Sequence, residues 1–285
     1  MQESTVLTVN GIETFLFVEG EGAPVVLVHG MTASAESWRY TFDALKTDYR
    51  VFAPDLPGHG RSAGGRHSYC LDFYTRWLDA LLDALDLEKI ALFGHSMGGA
   101  VCLDYTMAHP ARVERLMLSN ALGMSRHLPM KTSLYSVIRS PHLLLATITG
   151  RDDPHLFRYI RGRMLNDPWG VARSALEGML SAGRTYPRPL WGAWPGFRLI
   201  LVDILPPKKR HRFVERQASI AVPTLIAWGP DDGLLPVAHA YEGRDRIPNA
   251  ELCIFERSNH APMMEEPEAF NAAMRSFLDG ANSQT

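Results

Sequence analysis

Residue types suited to acyl-transfer chemistry recur at three points in this chain of 285 residues, each just after a short apolar run. Ser96 sits at the centre of Gly94-His95-Ser96-Met97-Gly98, behind Ile90 to Phe93. Asp231-Asp232 follows the run Pro223 to Trp228, and His260 follows Glu251 to Phe255. A serine hydroxyl becomes an effective nucleophile when a base within hydrogen-bond reach takes its proton, and a carboxylate on the far side of a histidine fixes the tautomer that can do so. The spacing around Ser96 matches G-x-S-x-G, the pattern of a sharp strand-to-helix turn that lifts the serine oxygen above a sheet. Such a turn also aims the first N–H groups of the following helix at whatever the serine attacks, which suits a developing oxyanion.

Other chemistry fits less well. Gly58, Gly60 and Ala63 satisfy G-x-G-x-x-A, but prolines interrupt the approach and no helix begins there, which argues against a dinucleotide site. H-E-x-x-H, P-loop and paired-cysteine motifs are absent from the sequence, and Cys70, Cys102 and Cys253 are far apart, so a reduced protein without metal or cofactor is expected. A formal net charge of −2 with both signs interspersed gives no footprint for nucleic acid. The basic run Lys208 to Arg212 is read as a solvated face. The amino-terminal residues lack the charged and apolar regions of a secretory leader, and no apolar run is long enough to span a bilayer. A cytoplasmic monomer or homodimer acting on a small molecule is the expectation.

The elements that would position these residues alternate along the chain. Val6 to Val9 and Glu13 to Val18 flank Asn10-Gly11, a hairpin signal. Pro24 to Val28 reads as a buried strand, Ser37 to Lys46 as helical, and Arg50 to Ala53 as the next strand. Leu71, Tyr74, Leu78, Leu81, Leu82 and Leu85 share one helical face. Ile90 to Phe93, a helix from Met97 to His109, and Val113 to Ser119 continue the pattern. From Ala121 to about Arg216 no convincing strand occurs. Pro223 to Trp228, a helix near Val237 to Arg246, Glu251 to Phe255 and a helix from Pro267 to Leu278 then resume the alternation. The fold class is therefore α/β: a mostly parallel central sheet with helices on both faces and an inserted helical cap. The expected domains are a core from 1–120 and 217–285 with the cap at 121–216. In open α/β sheets ligands bind beyond the carboxyl ends of the strands, and Ser96, Asp231-Asp232 and His260 all fall there.

The chain resembles the α/β-hydrolase superfamily, in its cap-bearing serine esterase and C–C hydrolase branch. The resemblance lies in His29-Gly30, the Asp55 to Ser62 loop (DLPGHGRS), Gly94 to Gly99, Trp228 to Pro236 (WGPDDGLLP) and Asn259 to Phe270. It implies Ser96 as nucleophile, His260 as general base and Asp232 as the acid behind it, with Asp231 as the weaker alternative. It also implies an oxyanion hole from the backbone N–H groups of Met31 and Met97. Some relatives carry the acid after the preceding strand, where Ser119-Asn120-Ala121 offers no carboxylate. Serine at 96 argues against dehalogenase or epoxide hydrolase chemistry, which runs through a carboxylate. The resemblance implies hydrolysis of an ester of a small to medium hydrophobic acid. C–C hydrolysis of a vinylogous diketone is the alternative, although Met31-Thr32-Ala33-Ser34 departs from that group's glycine-rich loop. A non-catalytic ligand-binding member of the fold is the third reading. Within the cap, Trp191 and Trp194 are the candidate pocket residues, because Pro187 to Gly196 reads as a loop; Met124, Met130 and Tyr135 stand in reserve.

Overall fold

The computed structural model describes residues 3–31, 33–127 and 193–280, in which strands and helices build one eight-stranded sheet. Strands β1 (Ser4–Val9) and β2 (Ile12–Glu19) form a hairpin across Asn10 and Gly11, whose φ values of 49° and 77° are the positive pair that a two-residue turn of this hand requires. Then follow β3 (Pro24–Val28), α1 (Arg39–Leu45), β4 (Arg50–Pro54), α2 (Leu71–Ala84), β5 (Ile90–His95), α3 (Met97–Ala108) and β6 (Val113–Ser119). After the insertion come β7 (Thr224–Trp228), α6 (Ala238–Arg246), β8 (Ala250–Ile254), the short α7 (Pro262–Glu265) and α8 (Pro267–Leu278). The strand order is β1-β2-β4-β3-β5-β6-β7-β8; β2 pairs antiparallel with β1 and β4, and every other pairing is parallel.

The two faces of the sheet are buried against different helices, as the near-continuous apolar strands require. Val26 and Val28 of β3, with Ile90 and Leu92 of β5, pack with Tyr74, Leu78, Leu81 and Leu82 of α2 and Val101 of α3. Val25, Leu27 and Phe93 point the other way, into Trp38, Phe42 and Leu45 and into Phe270, Met274 and Phe277 of α8. The segment read as helical from Ser37 begins earlier, as a tight 3₁₀ turn at Ala35–Trp38 that leads into α1.

Two expectations for the inserted region change. Part of the stretch read as a loop is helical: α4 (Ala193–Leu199) starts there and continues as a wider π turn through Ile204. Pro195 falls in its first turn, where a missing N–H costs no hydrogen bond. The basic run lies on α5 (Pro207–Arg216) and is not wholly solvated. Lys208, Lys209, His211 and Arg212 are exposed, but Arg210 is buried and donates to three carbonyls, those of Arg126, Ile204 and Leu205, at 2.8, 3.0 and 3.0 Å. It ties the segment that leaves the core to the one that returns. Among the described residues no helix is long and apolar enough to cross a membrane.

Candidate active site

The sharp turn between β5 and α3 leaves Ser96 with φ 53° and ψ −117°, a left-handed conformation that costs energy for any residue with a side chain. Backbone bonds on both sides hold it there. Ser96 N donates to Ser119 O at 3.0 Å, and Ser96 O accepts from Leu122 N at 2.9 Å and from Gly99 N at 3.0 Å. Gly98 is obligatory: a Cβ there would collide with the carbonyl oxygens of Val28 and His29, so α3 can start only against the bare end of β3. Met97 N–H, at the first position of α3, is one of the donors that a helix leaves without an intrahelical acceptor.

His260 arrives from the loop after β8 and lies between the other two groups. Its Nε2 is 3.1 Å from Ser96 Oγ, and its Nδ1 donates to Asp232 Oδ2 at 2.7 Å. A carboxylate only accepts, so the proton of the neutral ring is on Nδ1 and Nε2 presents its lone pair to the serine. Asp232, in the loop after β7, is fully buried. Its Oδ1 accepts from the N–H groups of Leu234 and Leu235 at 2.7 and 2.9 Å, and its Oδ2 also accepts from Asn120 Nδ2 at 2.7 Å. Burial by itself pushes this carboxyl up. The charge and hydrogen bond of His260, the Leu235 N–H and the Asn120 amide outweigh it, and the group lies below its ordinary range. Asp231 is exposed and takes no part in this cluster.

The loop after β3 runs beside the serine. A Cβ on Gly30 would come within 3.0 Å of Ser96 Cβ. His29 sets the loop's course: Leu56 N donates to its Nε2 at 2.9 Å, which puts the proton on Nδ1, 2.7 Å from Gly30 O. Carbonyl and N–H of one trans peptide point in opposite directions, so fixing Gly30 O on one side turns Met31 N–H to the other. The Asp55 to Ser62 loop supports this arrangement and carries no chemistry of its own in these contacts. Asp55 accepts from Ala35 N at 2.7 Å and from Arg61 N and Nε at 2.7 and 3.1 Å, and Ser62 Oγ donates to Asp55 O at 2.6 Å. Below the site, His95 donates from Nε2 to His260 O at 2.8 Å. Burial lowers His29 to about 4, and lowers His59 and His95 to about 3, so all three rings are neutral near pH 7.

The structure thus brings Ser96, His260 and Asp232 together, with Met97 opening α3 directly after the serine and Met31 on the loop after β3. Helix α4 covers this edge, with Gly196 against the Met31 side chain and Pro195 against Gly58. Trp191, Met130 and Tyr135 lie outside the described residues, as does the side chain of Trp194. Met124 is fully buried, and a Cβ on Gly243 would collide with its methyl group. In the sequence Asn120 stands out only as a strand exit without a carboxylate, and its amide becomes a donor to the acid through contacts between distant segments. Its position at the exit of β6 was the available signal. Among the described residues no three His, Cys, Asp or Glu side chains cluster so as to hold a metal ion.

Comparison with known proteins agrees with this architecture. A family model described as alpha/beta hydrolase fold matches residues 23–267. An uncharacterized protein of Mycobacterium tuberculosis is 30% identical, with 95% of this chain and 80% of that one covered. The 2-hydroxy-6-oxo-2,4-heptadienoate hydrolase of Pseudomonas putida is 31% identical, with 94% and 93% covered. Among solved structures, a serine hydrolase from Cycloclasticus zankles superposes with a TM-score of 0.82 at 23% identity, covering 100% of both chains.

Proposed function

Because the chain belongs to the alpha/beta hydrolase fold family, we propose that it hydrolyses a carboxylic ester of a small to medium hydrophobic acid through an acyl-enzyme on Ser96. The observation that carries the proposal is one imidazole with two partners: His260 Nε2 at 3.1 Å from Ser96 Oγ and Nδ1 at 2.7 Å from Asp232. Ser96 Oγ adds to the ester carbonyl carbon as its proton passes to His260 Nε2, and the carbonyl electron pair becomes an oxyanion. That oxyanion accepts from the N–H groups of Met97 and Met31. Its collapse breaks the bond to the alcohol oxygen, which leaves with the proton from His260. A water molecule then attacks the acyl carbon by the same route, giving its proton to His260, and Ser96 recovers its own as the acid departs. Asp232 stays ionised throughout, holding the ring in the required tautomer and stabilising the imidazolium.

An apolar acyl group is supported by the described end of the insertion. Leu199, Ile200 and Ile204 belong to the same buried cluster as Leu122 and Met97, and Met31 packs against it. The segment from 121–216 acts in this reading as the cap that selects the substrate and supplies none of the triad. A second reading, C–C hydrolysis of a vinylogous diketone acid, is favoured by one observation: the 31% identity to the heptadienoate hydrolase over 94% of the chain.

A series of p-nitrophenyl esters of increasing acyl length, run beside a dienone acid, tests both. The ester reading expects kcat/KM to peak on a short or medium ester and Ser96→Ala to abolish turnover with the fold intact. A higher kcat/KM for the dienone acid than for any ester transfers the assignment to C–C cleavage. Full activity in Ser96→Ala refutes both readings.

A further inference from the structure

Asp232 accepts a hydrogen bond from outside its own loop and outside the triad. Asn120 follows β6 directly, is fully buried and holds φ at 43°, a left-handed conformation that asparagine tolerates better than most side chains. Asn120 N donates to Ala227 O at 3.0 Å, which fixes the residue to β7. From there its amide Nδ2 reaches Asp232 Oδ2 at 2.7 Å and Asn259 O at 3.1 Å. The Asn259 side-chain oxygen in turn accepts from Gly233 N at 2.8 Å. These bonds close a ring through the loops after β6, β7 and β8, joining the residue beside the base to the residue beside the acid.

We propose that Asn120 is a positioning residue for the reaction: its amide fixes Asp232 Oδ2 where His260 meets it and locks the acid-bearing loop to the base-bearing loop. The inference rests on the triad reading of Ser96, His260 and Asp232. An amide is the side chain that suits this place. A carboxylate of the same shape would face Asp232 at hydrogen-bond distance, where two like charges cannot both be accommodated without one taking a proton. An apolar residue would leave Oδ2 with one donor fewer, and an under-satisfied carboxylate attracts the imidazolium more strongly.

Both changes therefore raise the proton affinity of the His260–Asp232 pair, and the acidic limb of the activity profile moves to higher pH. Among the described residues, the other titratable groups near the pair lie on β5, α6 and α7 and in the loops after β3 and β7. His95 at the end of β5 is held at about 3 and His29 beyond it at about 4, chiefly by burial, and burial also lowers His239 of α6. Glu265 of α7 accepts from Asn259 N at 2.5 Å. Asp231 is exposed.

The test is the rate at which a fluorophosphonate labels Ser96 as a function of pH, a reaction that needs the activated serine and not the natural substrate. Asn120→Ala should label about 10- to 100-fold more slowly at neutral pH, with the acidic limb shifted upward. Asn120→Asp, which preserves shape, should shift the limb further, by about one unit or more. In an Asp232→Asn background the Asn120→Ala change should cost almost nothing, because its route of action is already cut. A limb unmoved in both variants, or the same fold-loss in both backgrounds, overturns the inference. If Asn120→Ala does not fold, as judged by circular dichroism, the limb of Asn120→Asp decides alone. Labelling of the wild-type chain at a residue other than Ser96, or an undiminished rate in Asp232→Asn, refutes the triad reading instead.

Discussion

Replacing Asp232 by Asn removes one charge and changes little in volume, yet the structure gives the new amide no good orientation. Every group around the carboxylate is a donor: the N–H groups of Leu234 and Leu235 on Oδ1, and His260 Nδ1 and Asn120 Nδ2 on Oδ2. With its NH2 toward Leu234 and Leu235, the amide faces two backbone donors that cannot turn away. With its NH2 toward His260, the conflict is relieved if the ring takes its other tautomer and accepts at Nδ1. That second arrangement is the cheaper one, and it puts the ring proton on Nε2, 3.1 Å from Ser96 Oγ, where a lone pair is needed. The loss expected in kcat is therefore about 10⁴, as in the best-studied triad, or about 5 kcal/mol of transition-state stabilisation. The remaining donor conflict with Asn120 costs about 1–3 kcal/mol of stability, read as a lower Tm. Steady-state kinetics on the best p-nitrophenyl ester measure the first quantity and thermal denaturation the second. Asp231→Asn, at an exposed position, is the control and should leave both unchanged. A few-fold loss for Asp232→Asn, or a severe one for Asp231→Asn, would refute the tautomer argument.

Burial lowers His29 to about 4 and His59 and His95 to about 3 from an ordinary 6.5, so the unfolded chain binds more protons below pH 6.5 and stability falls as pH falls through that window. Unfolding at pH 5 should take up about three protons from these rings, measured as the slope of unfolding free energy against pH, and a slope below one proton would contradict it. Arg210→Met should destabilise by about 2 kcal/mol in denaturant titrations because three carbonyls, one buried and two partly buried, lose their donor, whereas Lys208→Ala, at an exposed site on the same helix, should stay within about 0.5 kcal/mol. Trp191→Ala and Trp194→Ala should change the ratio of long-chain to short-chain kcat/KM; an unchanged ratio in folded protein removes both from the substrate pocket.

The core was legible because its signals are local. Asn10-Gly11 dictates a turn whatever surrounds it, and Pro24–Val28 matches the observed strand end to end because this buried parallel strand contains no polar interruption; Val113–Ser119 also matches, with Glu114 and Arg115 at its entry and the buried stretch Leu116 to Ser119 behind them. The spacing around Ser96 likewise encodes a backbone conformation, seen in its φ of 53°. What the sequence concealed depends on contacts between distant segments. Arg210 looks like one more cation in a basic run, and only the convergence of the Arg126, Ile204 and Leu205 carbonyls makes it an interior residue. Asn120 is a polar residue at a strand exit until β7 and β8 bring Asp232 and Asn259 O against its amide. The helix at Ala193–Leu199 was hidden by Pro195 and Gly196, which read as breakers although a first-turn proline is compatible with a helix.

The chain has 11 histidines, and sequence position could rank His260 above the rest only through its place after the last strand. The structure supplies a physical criterion that separates it from its buried neighbours. His29, His59 and His95 all lie near the site, but each is buried without a carboxylate to hydrogen-bond its ring, and desolvation reduces their basicity to about 4 or 3. A ring that weak gains little from accepting a serine proton near pH 7, however close it lies. Such rings serve instead as neutral hydrogen-bonding struts: His29 to Gly30 O and His95 to His260 O. His260 is as buried as they are, and differs in having Asp232 at 2.7 Å on the nitrogen away from the serine. That carboxylate stabilises the imidazolium formed when the ring takes the serine proton. By this reasoning the loop after β7 decides which histidine can act as the base, and the buried amide of Asn120 acts on that choice through the one carboxylate that makes it.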